Sequence, residues 1–137
     1  MTGATVITRE VLLDSRTLLW LVSTPEKIKP AAREVLTRKS CQIYVSAASA
    51  WEIAIKTRSG RLDGEQLLSA WPQIIRDMSA ENLPVEAADA ILAGGMAWEH
   101  RDPVDRILVA QSTRRNFSLA TRDKNIRAAA LTQILKV

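Results

Sequence analysis

The chain has 137 residues, of which 47% are hydrophobic and 25% charged, and its formal net charge is +4 with a sequence pI near 9.6. These values are ordinary for one soluble globular domain spanning residues 1–137, and the single Cys41 excludes an internal disulfide. The longest apolar run near the amino terminus, residues 18–22, is too short for a membrane span. We therefore expect an intracellular, cytoplasmic protein whose basic charge weakly favours a polyanionic partner.

The first half of the chain predicts two strands and three helices after a polar, flexible lead-in at residues 1–9. Short β-rich apolar runs favour strands at residues 11–13 and 42–45, and the second strand is followed by Ser46, a good helix N-cap. Pro30 fits the first turn of a helix. The predicted helices cover residues 17–22, 30–38 and 47–58, the last stopping near Gly60.

The second half predicts helices that alternate with short strands. Residues 65–78 have a helical apolar face that Pro72 is expected to kink, and an extended piece follows at residues 82–85. Asp102 and Pro103 are the N-cap and first-turn signals of a helix that runs to about residue 115. The remaining predicted elements are a helix at 87–98 loosened by Gly94 and Gly95, a strand at 117–121, a helix at 123–130 and a strand at 133–135. This alternation predicts an α/β fold in which a parallel sheet is covered by helices on both faces.

Four acidic residues follow predicted strands or lie at the start of predicted helices. Asp14 and Asp123 follow strands, while Glu52 and Asp105 project from the first turns of helices. In a right-handed parallel sheet, the strand ends after residues 13, 45 and 121 open on one side, so the four carboxylates are expected to converge. Carboxylates gathered in this way repel one another and tend to need a divalent cation between them.

Each of the four acids also has a purely structural interpretation. Asp14 and Asp123 are in positions to cap the helices that follow them, and Glu52 lies three residues after Ser49, which is the capping-box spacing. Asp105 would be the third residue of its helix, where the helix dipole stabilises a carboxylate by roughly 0.3–1 kcal/mol. None of these interpretations explains why all four acids fall on one edge of the predicted sheet.

The expected cation is Mg²⁺ or Mn²⁺. Both ions prefer oxygen ligands, and the sequence has no cluster of histidine and cysteine that would bind zinc. Asp102 is a candidate fifth acid, although its place before Pro103 favours the N-cap role.

Four segments carry the acids in series. Residues 12–20 and 44–56 resemble the first two motifs of PIN-domain ribonucleases, and residues 100–111 and 120–123 resemble the third and fourth. The resemblance is to the VapC-type toxins of bacterial toxin–antitoxin pairs, and it extends over nearly the whole chain. One such motif alone is a weak signal, whereas four in the right order and spacing are a strong one.

The resemblance implies a PIN-like parallel sheet of about four to five short strands, with an acidic pocket that binds Mg²⁺ or Mn²⁺ and hydrolyses RNA phosphodiester bonds. It also implies an endoribonuclease toxin inhibited by a cognate antitoxin, in a homodimer or a toxin–antitoxin hetero-oligomer, with no membrane association. Asp14 and Asp105 match the metal-binding acids, and Glu52 and Asp123 match the other members of the acidic set.

Supporting residues are expected beside the acids. Ser15 falls where the family usually has Thr or Ser able to bond a carboxylate or water, and Thr121 and Asp102 are the other expected supports. Arg16 departs from the histidine common at its position, which leaves the chemistry intact. Four basic residues flank the acids and are candidates for RNA phosphate contacts or, alternatively, solvated surface charges: Arg101, Arg106, Arg122 and Lys124.

Other conspicuous residues have structural interpretations. His100, the only histidine, has no evident nucleophile partner and is interpreted as a loop or capping residue. Cys41, beside a strand, is expected to be a buried free thiol. The four tryptophans are assigned mostly to core or interface, and the apolar stripe over residues 67–75, which includes Trp71, is a candidate surface for a partner helix.

Three competing functions remain at the level of the sequence. A signalling receiver domain would need an adjacent acidic pair after the first strand, and a haloacid-dehalogenase-type phosphatase would need Asp-x-Asp; residues 14–16 read Asp-Ser-Arg. A catalytically silent PIN-fold module that binds RNA or protein is the third, and acids at all four positions argue against it.

Overall fold

The computed structural model describes residues 9–137 and contains one sheet of five parallel strands in the order β3-β2-β1-β4-β5. The strands are β1 Arg9–Leu13, β2 Cys41–Ser46, β3 Ala80–Leu83, β4 Ser118–Thr121 and β5 Gln133–Lys136. The predicted parallel sheet of four to five short strands is therefore confirmed. The lead-in expected at residues 1–9 lies outside the described residues, apart from Arg9, which is the first residue of β1.

Within residues 9–137, eight α-helices connect the strands. They are α1 Ser15–Ser23, α2 Pro30–Thr37, α3 Ala47–Arg58, α4 Glu65–Ser69, α5 Trp71–Asp77, α6 Ala87–Gly95, α7 Pro103–Arg115 and α8 Lys124–Ala129. In this part of the chain, every helix is too short or too polar to cross a bilayer.

The central strand β1 shows how the sheet divides the interior into two apolar layers. Successive side chains of a strand point to opposite faces, so Val11 and Leu13 pack on one side and Leu12 on the other. The first layer includes Leu18 of α1, and the second includes Leu108 of α7. Because β1 is covered on both faces, it is a continuous apolar run rather than an alternating one. Helices on both faces of the sheet were predicted and are confirmed.

The helix predicted over residues 65–78 is in fact two helices, α4 and α5. The break falls at Ala70, and Pro72 lies in the first turn of α5, where its missing N–H costs no hydrogen bond. Both helices bury apolar side chains in the first layer, and the indole N–H of Trp71 donates to Asn82 Oδ1 at 2.9 Å. The apolar stripe therefore packs partly on its own domain, and its use as a surface for a partner helix stays a prediction.

Several local expectations also change. The strand expected at residues 82–85 is β3 and begins two residues earlier, and the helix expected at 87–98 ends at Gly95. Cys41 is half-buried rather than buried, as the first residue of β2. Trp51 has 57% of its surface exposed, so it is not a core residue, whereas the other three tryptophans are half-buried.

A buried ion pair fixes α6 to α7. The Asp89 side chain is fully buried, and its Oδ1 accepts hydrogen bonds from Arg114 at 2.6 Å and Arg115 at 2.8 Å. The Glu86 N–H donates to Asp89 Oδ2 at 2.9 Å, which completes the amino-terminal cap of α6. Burial raises the pKa of Asp89, but the hydrogen bonds from Arg115, the Glu86 main chain and Arg114 outweigh it and lower the pKa to about 2.

This pKa predicts a specific loss of stability in acid. Because the folded pKa of Asp89 lies below its unfolded value, its contribution is complete above about pH 5 and is lost as the pH falls toward 2. At ~1.4 kcal/mol per pKa unit, the loss is about 2 kcal/mol. We expect urea unfolding to show that Asp89→Asn, already less stable at neutral pH, has a shallower decline between pH 4 and 2 than the parent. The matched control Asp63→Asn, at an exposed acid, should decline like the parent; equal slopes for all three proteins would contradict the assignment.

Candidate functional site

The strand order creates a topological switch point between β1 and β4. From β1 the chain builds β2 and β3 on one side and β4 and β5 on the other. In open parallel sheets, ligands bind in the crevice that forms at the carboxyl ends of the strands at such a point. Asp14 follows β1 directly, and Asp123 lies two residues after Thr121, where β4 ends. A cavity of about 310 Å³ opens here.

The cavity brings together all four acids that the sequence singled out. Its walls contain five carboxylates, from Asp14, Glu52, Asp102, Asp105 and Asp123. The same walls contain four basic side chains, from Arg16, Lys56, Arg61 and Arg122. The expected supporting residue Ser15 also lines the cavity, whereas Arg101, Arg106 and Lys124 do not.

Asp14 is both a helix cap and a wall of the cavity. Its Oδ1 accepts the Thr17 N–H at 2.8 Å at the start of α1, so the capping interpretation is correct for this residue. The side chain is nevertheless held at the cavity with only 8% of the residue exposed. Burial raises the pKa of Asp14, although hydrogen bonds from Thr121 and Thr17 and the charge of Arg16 oppose the rise. A buried carboxylate of this kind gains from a cation beside it.

Ser15 joins two helices behind the acids. Its hydroxyl donates to Ser49 Oγ at 3.0 Å, which links α1 to α3 in the buried interior. Thr17 reinforces the same corner, because its hydroxyl donates to the Ala120 carbonyl of β4 at 3.2 Å. These bonds hold α1, and with it Asp14, against the sheet.

Asp105 experiences the charges of its acidic neighbours directly. Burial raises the pKa of Asp105, the hydrogen bond from His100 lowers it, and the negative charges of Asp102 and Asp123 raise it further, to about 6. Asp102 has the N-cap role that was favoured, since its Oδ1 accepts the Asp105 N–H at 3.1 Å. Asp105 is the third residue of α7, as expected. The negative charges of Asp102 and Asp123 therefore act on the Asp105 carboxylate.

Asp123 combines a cap with a place in the cavity. Its Oδ1 accepts the N–H groups of Asn125 at 2.8 Å and Ile126 at 3.0 Å, at the start of α8. The Asp123 N–H in turn donates to Thr121 Oγ1 at 3.0 Å, which fixes the turn after β4. Thr121 thus positions Asp123 at the start of α8.

Glu52 has no capping role. Helix α3 begins at Ala47, with Ser46 as its N-cap, so Glu52 is in the second turn rather than the first and the capping box with Ser49 does not form. Its nearest charged partner is Lys56, with Nζ 3.6 Å from Glu52 Oε2. The helix therefore presents Glu52 to the cavity without using its carboxylate for its own start.

His100 is a site residue that the sequence interpretation missed. Its Nε2 lies 2.7 Å from Asp105 Oδ2, within hydrogen-bond length, and its ring stacks on Trp98 with centroids 4.7 Å apart. His100 lies in the loop before α7, as expected, and in addition it contacts Asp105. The sequence offered one signal for this contact, because His100 stands at the start of the third motif, five residues before Asp105.

Arg106 holds the segment before α7 in place. Its guanidinium donates to the main-chain carbonyls of Ala93, Met96, Trp98 and His100, at 2.7, 2.8, 2.6 and 3.1 Å respectively. Four carbonyl acceptors occupy most of its donors, which gives Arg106 a structural role within the domain. This clamp orients the segment that carries His100.

The other basic candidates divide into two kinds. Arg122 donates to the main-chain carbonyls of Val137 and Lys27, and its guanidinium lies 4.4 Å from the Trp20 ring centroid, so its donors are also engaged within the domain. Arg101 and Lys124 are exposed and do not line the cavity.

The donor chemistry of the cavity fits Mg²⁺ or Mn²⁺, because both ions prefer carboxylate oxygens. The raised pKa of Asp105, due in part to Asp102 and Asp123, identifies a concentration of negative charge that a divalent cation would relieve. Among residues 9–137, no three acidic, histidine or cysteine side chains form a preformed metal-ligand group. The carboxylates thus surround the cavity without converging on one point.

Most of the chain matches a known protein family. The family model for the PIN domain matches residues 11–131. A search of curated protein sequences finds no match.

Three solved structures share the fold at low sequence identity. VapBC2 from Rickettsia felis, bound to a DNA fragment from its promoter, has a TM-score of 0.67 at 13% identity, covering 92% of this chain and 97% of that one. VapBC-5 from Mycobacterium tuberculosis, of the VapBC family of toxin–antitoxin systems, has a TM-score of 0.53 at 15% identity, with coverage of 93% and 98%. The PIN domain endonuclease Utp24 has a TM-score of 0.56 at 17% identity, with coverage of 93% and 84%.

Proposed function

Since the chain belongs to the PIN-domain family, we propose that it is a metal-dependent endoribonuclease that hydrolyses RNA phosphodiester bonds. One observation carries the proposal: a cavity at the switch point of the sheet has five carboxylates in its walls, in a chain whose net charge is +4. The similarity in fold to a PIN domain endonuclease supports it.

The residues divide into three proposed roles. Asp14 and Asp105 hold Mg²⁺ or Mn²⁺, and Glu52 and Asp123 complete the acidic wall, orient the attacking water and accept its proton. His100 keeps the Asp105 carboxylate in place through the 2.7 Å bond. A bound divalent cation supplies Lewis acidity: it makes water a stronger acid and offsets charge that develops on the scissile phosphate. The chain needs no nucleophilic side chain for this reaction.

We further propose that the protein is the toxin of a toxin–antitoxin pair that acts in the cytoplasm. The four motifs of the sequence resemble VapC-type toxins, and the fold is shared with two VapBC structures. An antitoxin would then block the cavity, and the assembly would be a homodimer or a toxin–antitoxin hetero-oligomer. Insertion of a basic side chain among the five carboxylates is the inhibition that the charge of the cavity favours.

The test is cleavage of structured RNAs by the purified chain, freed of any partner. We expect endonucleolytic products in Mg²⁺ or Mn²⁺, none in excess chelator, and recovery when the cation is added back in excess. The physical reason is that buried, mutually repelling carboxylates cannot replace the charge of the cation at the scissile phosphate. Cleavage that persists unchanged in chelator would contradict metal dependence.

The second candidate, a catalytically silent PIN-fold module, predicts a different result. It would bind RNA or protein but yield no products at any concentration of Mg²⁺ or Mn²⁺. The buried Asp14 and the crowded Asp105 argue against it, because such charges lower stability and a module without chemistry does not need them.

A further inference from the structure

Three basic side chains line the cavity with most of their hydrogen-bond donors unused. They are Arg16 of α1, Lys56 of α3 and Arg61, three residues after α3. We call them the basic rim. None was among the RNA contacts expected from the sequence, where Arg16 was noted only for replacing the histidine common at its position.

The contacts of the basic rim within the domain are weak. Among residues 9–137, the Arg16 guanidinium makes no hydrogen bond, and it lies 5.9 Å from the Trp20 ring centroid, near the limit for a cation–π interaction. Lys56 Nζ is 3.6 Å from Glu52 Oε2, beyond hydrogen-bond length. Arg61 makes one long side-chain bond, from Nε to Ser59 Oγ at 3.3 Å.

Arg106 and Arg122 differ from the basic rim because most of their donors already make hydrogen bonds within the domain. Arg106 donates to four main-chain carbonyls, and Arg122 donates to two and stacks on Trp20. These guanidiniums would have to break bonds within the domain before contacting a ligand. The basic rim would give up only one long hydrogen bond and one 3.6 Å ion pair, and its cations lie on the walls that also hold the acids.

We propose that Arg16, Lys56 and Arg61 bind RNA phosphates next to the bond placed at the acids. The inference rests on the proposed function and assigns its substrate contacts. The physical need is clear: five carboxylates repel a polyanion, and cations on the same walls offset that repulsion at short range. Each phosphate neutralised also releases counterions, so binding should be strongly salt-dependent.

The test is the affinity of a fluorescent single-stranded RNA, measured in chelator so that binding is separated from cleavage. Arg16→Gln, Lys56→Gln and Arg61→Gln should each weaken binding about five- to tenfold, for RNAs of any sequence. Each should also reduce the slope of log K against log salt by about 0.7. In Mg²⁺, KM should rise more than kcat falls, because the contacts are made in the ground state as well.

The matched control is Arg58→Gln. Arg58 is exposed on α3, two residues from Lys56, and does not line the cavity, so the variant makes the same change in charge without touching the basic rim. Its affinity and salt slope should stay near those of the parent.

The possible outcomes separate the two proposals. If the parent cleaves RNA but the three rim variants match Arg58→Gln in affinity and salt slope, the proposal that the basic rim binds RNA is wrong. The proposed nuclease activity is then unaffected. If the parent binds RNA and the three variants bind it more weakly, but no condition yields cleavage, the proposed nuclease activity is wrong. RNA binding by the basic rim is then supported. A parent that binds no RNA even at low salt overturns the rim.

Discussion

Asp14→Asn should lower the rate of RNA cleavage by roughly a thousandfold or more. The change removes one proposed metal ligand, so its effect should exceed the roughly 10–100-fold loss that follows mutation of residues behind the ligands. The cause is loss of the negative charge that holds the cation, since the neutral amide is a far weaker ligand for Mg²⁺ or Mn²⁺. The measurement is kcat/KM on a defined RNA at saturating cation.

The same variant should fold at least as stably as the parent. An asparagine Oδ1 can still accept the Thr17 N–H and cap α1. Burial disfavours the charged form of Asp14 and raises its pKa, so removing the charge relieves an unfavourable term. Urea unfolding checks this point. Cleavage at the parental rate by a folded Asp14→Asn protein would remove Asp14 from the site.

Arg106→Met should lower the free energy of unfolding by about 3–5 kcal/mol, because it removes a half-buried guanidinium that donates to four main-chain carbonyls. The substitution leaves the carbonyls of Ala93, Met96, Trp98 and His100 without their donor. Such groups cost about 1–3 kcal/mol each when they stay buried and unpaired, and less where the segment relaxes toward water. A thermal melt should show a Tm lower by roughly 10 °C.

The conservative variant makes this test specific. Arg106→Lys keeps the positive charge but cannot reproduce a planar fork that reaches four carbonyls, so it should lose most of the same stability. A phosphate contact, by contrast, would tolerate lysine. The control Arg101→Met, at an exposed basic residue, should leave the Tm unchanged. A Tm for Arg106→Lys equal to that of the parent would contradict the clamp.

The sequence predicts the sheet well because the physical signals are local. The apolar run of β1 and the β-rich run of β2 are long enough to identify, and Asp102-Pro103 marks the start of α7 unambiguously. The position of the acids at one edge follows from strand direction alone. Their proposed roles come from the resemblance rather than from the pattern.

The elements that the sequence misplaces depend on tertiary contacts. Leu67 and Ile75 share the apolar face predicted for residues 65–78 and pack in one layer, but the break between α4 and α5 at Ala70 is not evident from the periodicity. Helix α6 ends at Gly95, and the carbonyl of the next residue, Met96, accepts a hydrogen bond from the Arg106 guanidinium of α7.

Basic residues are the hardest part of the site to assign from sequence. Arg106 and Lys56 are both charged residues near acids, yet one is engaged by four carbonyls and the other has unused donors. His100 is likewise indistinguishable from a loop residue until the fold brings it to Asp105. The distance of a basic residue from an acid in the sequence does not show whether its donors make hydrogen bonds within the folded domain.

The most direct test of the central claim is a titration of Mn²⁺ binding to the purified chain, followed by electron paramagnetic resonance. The account predicts saturable binding to the parent and to the control Asp63→Asn, whose acid is exposed and does not line the cavity. It predicts binding weakened at least tenfold in Asp14→Asn and in Asp105→Asn, because each loses a proposed ligand. Equal Mn²⁺ affinity in all four proteins would show that the acids of the cavity do not form the cation site.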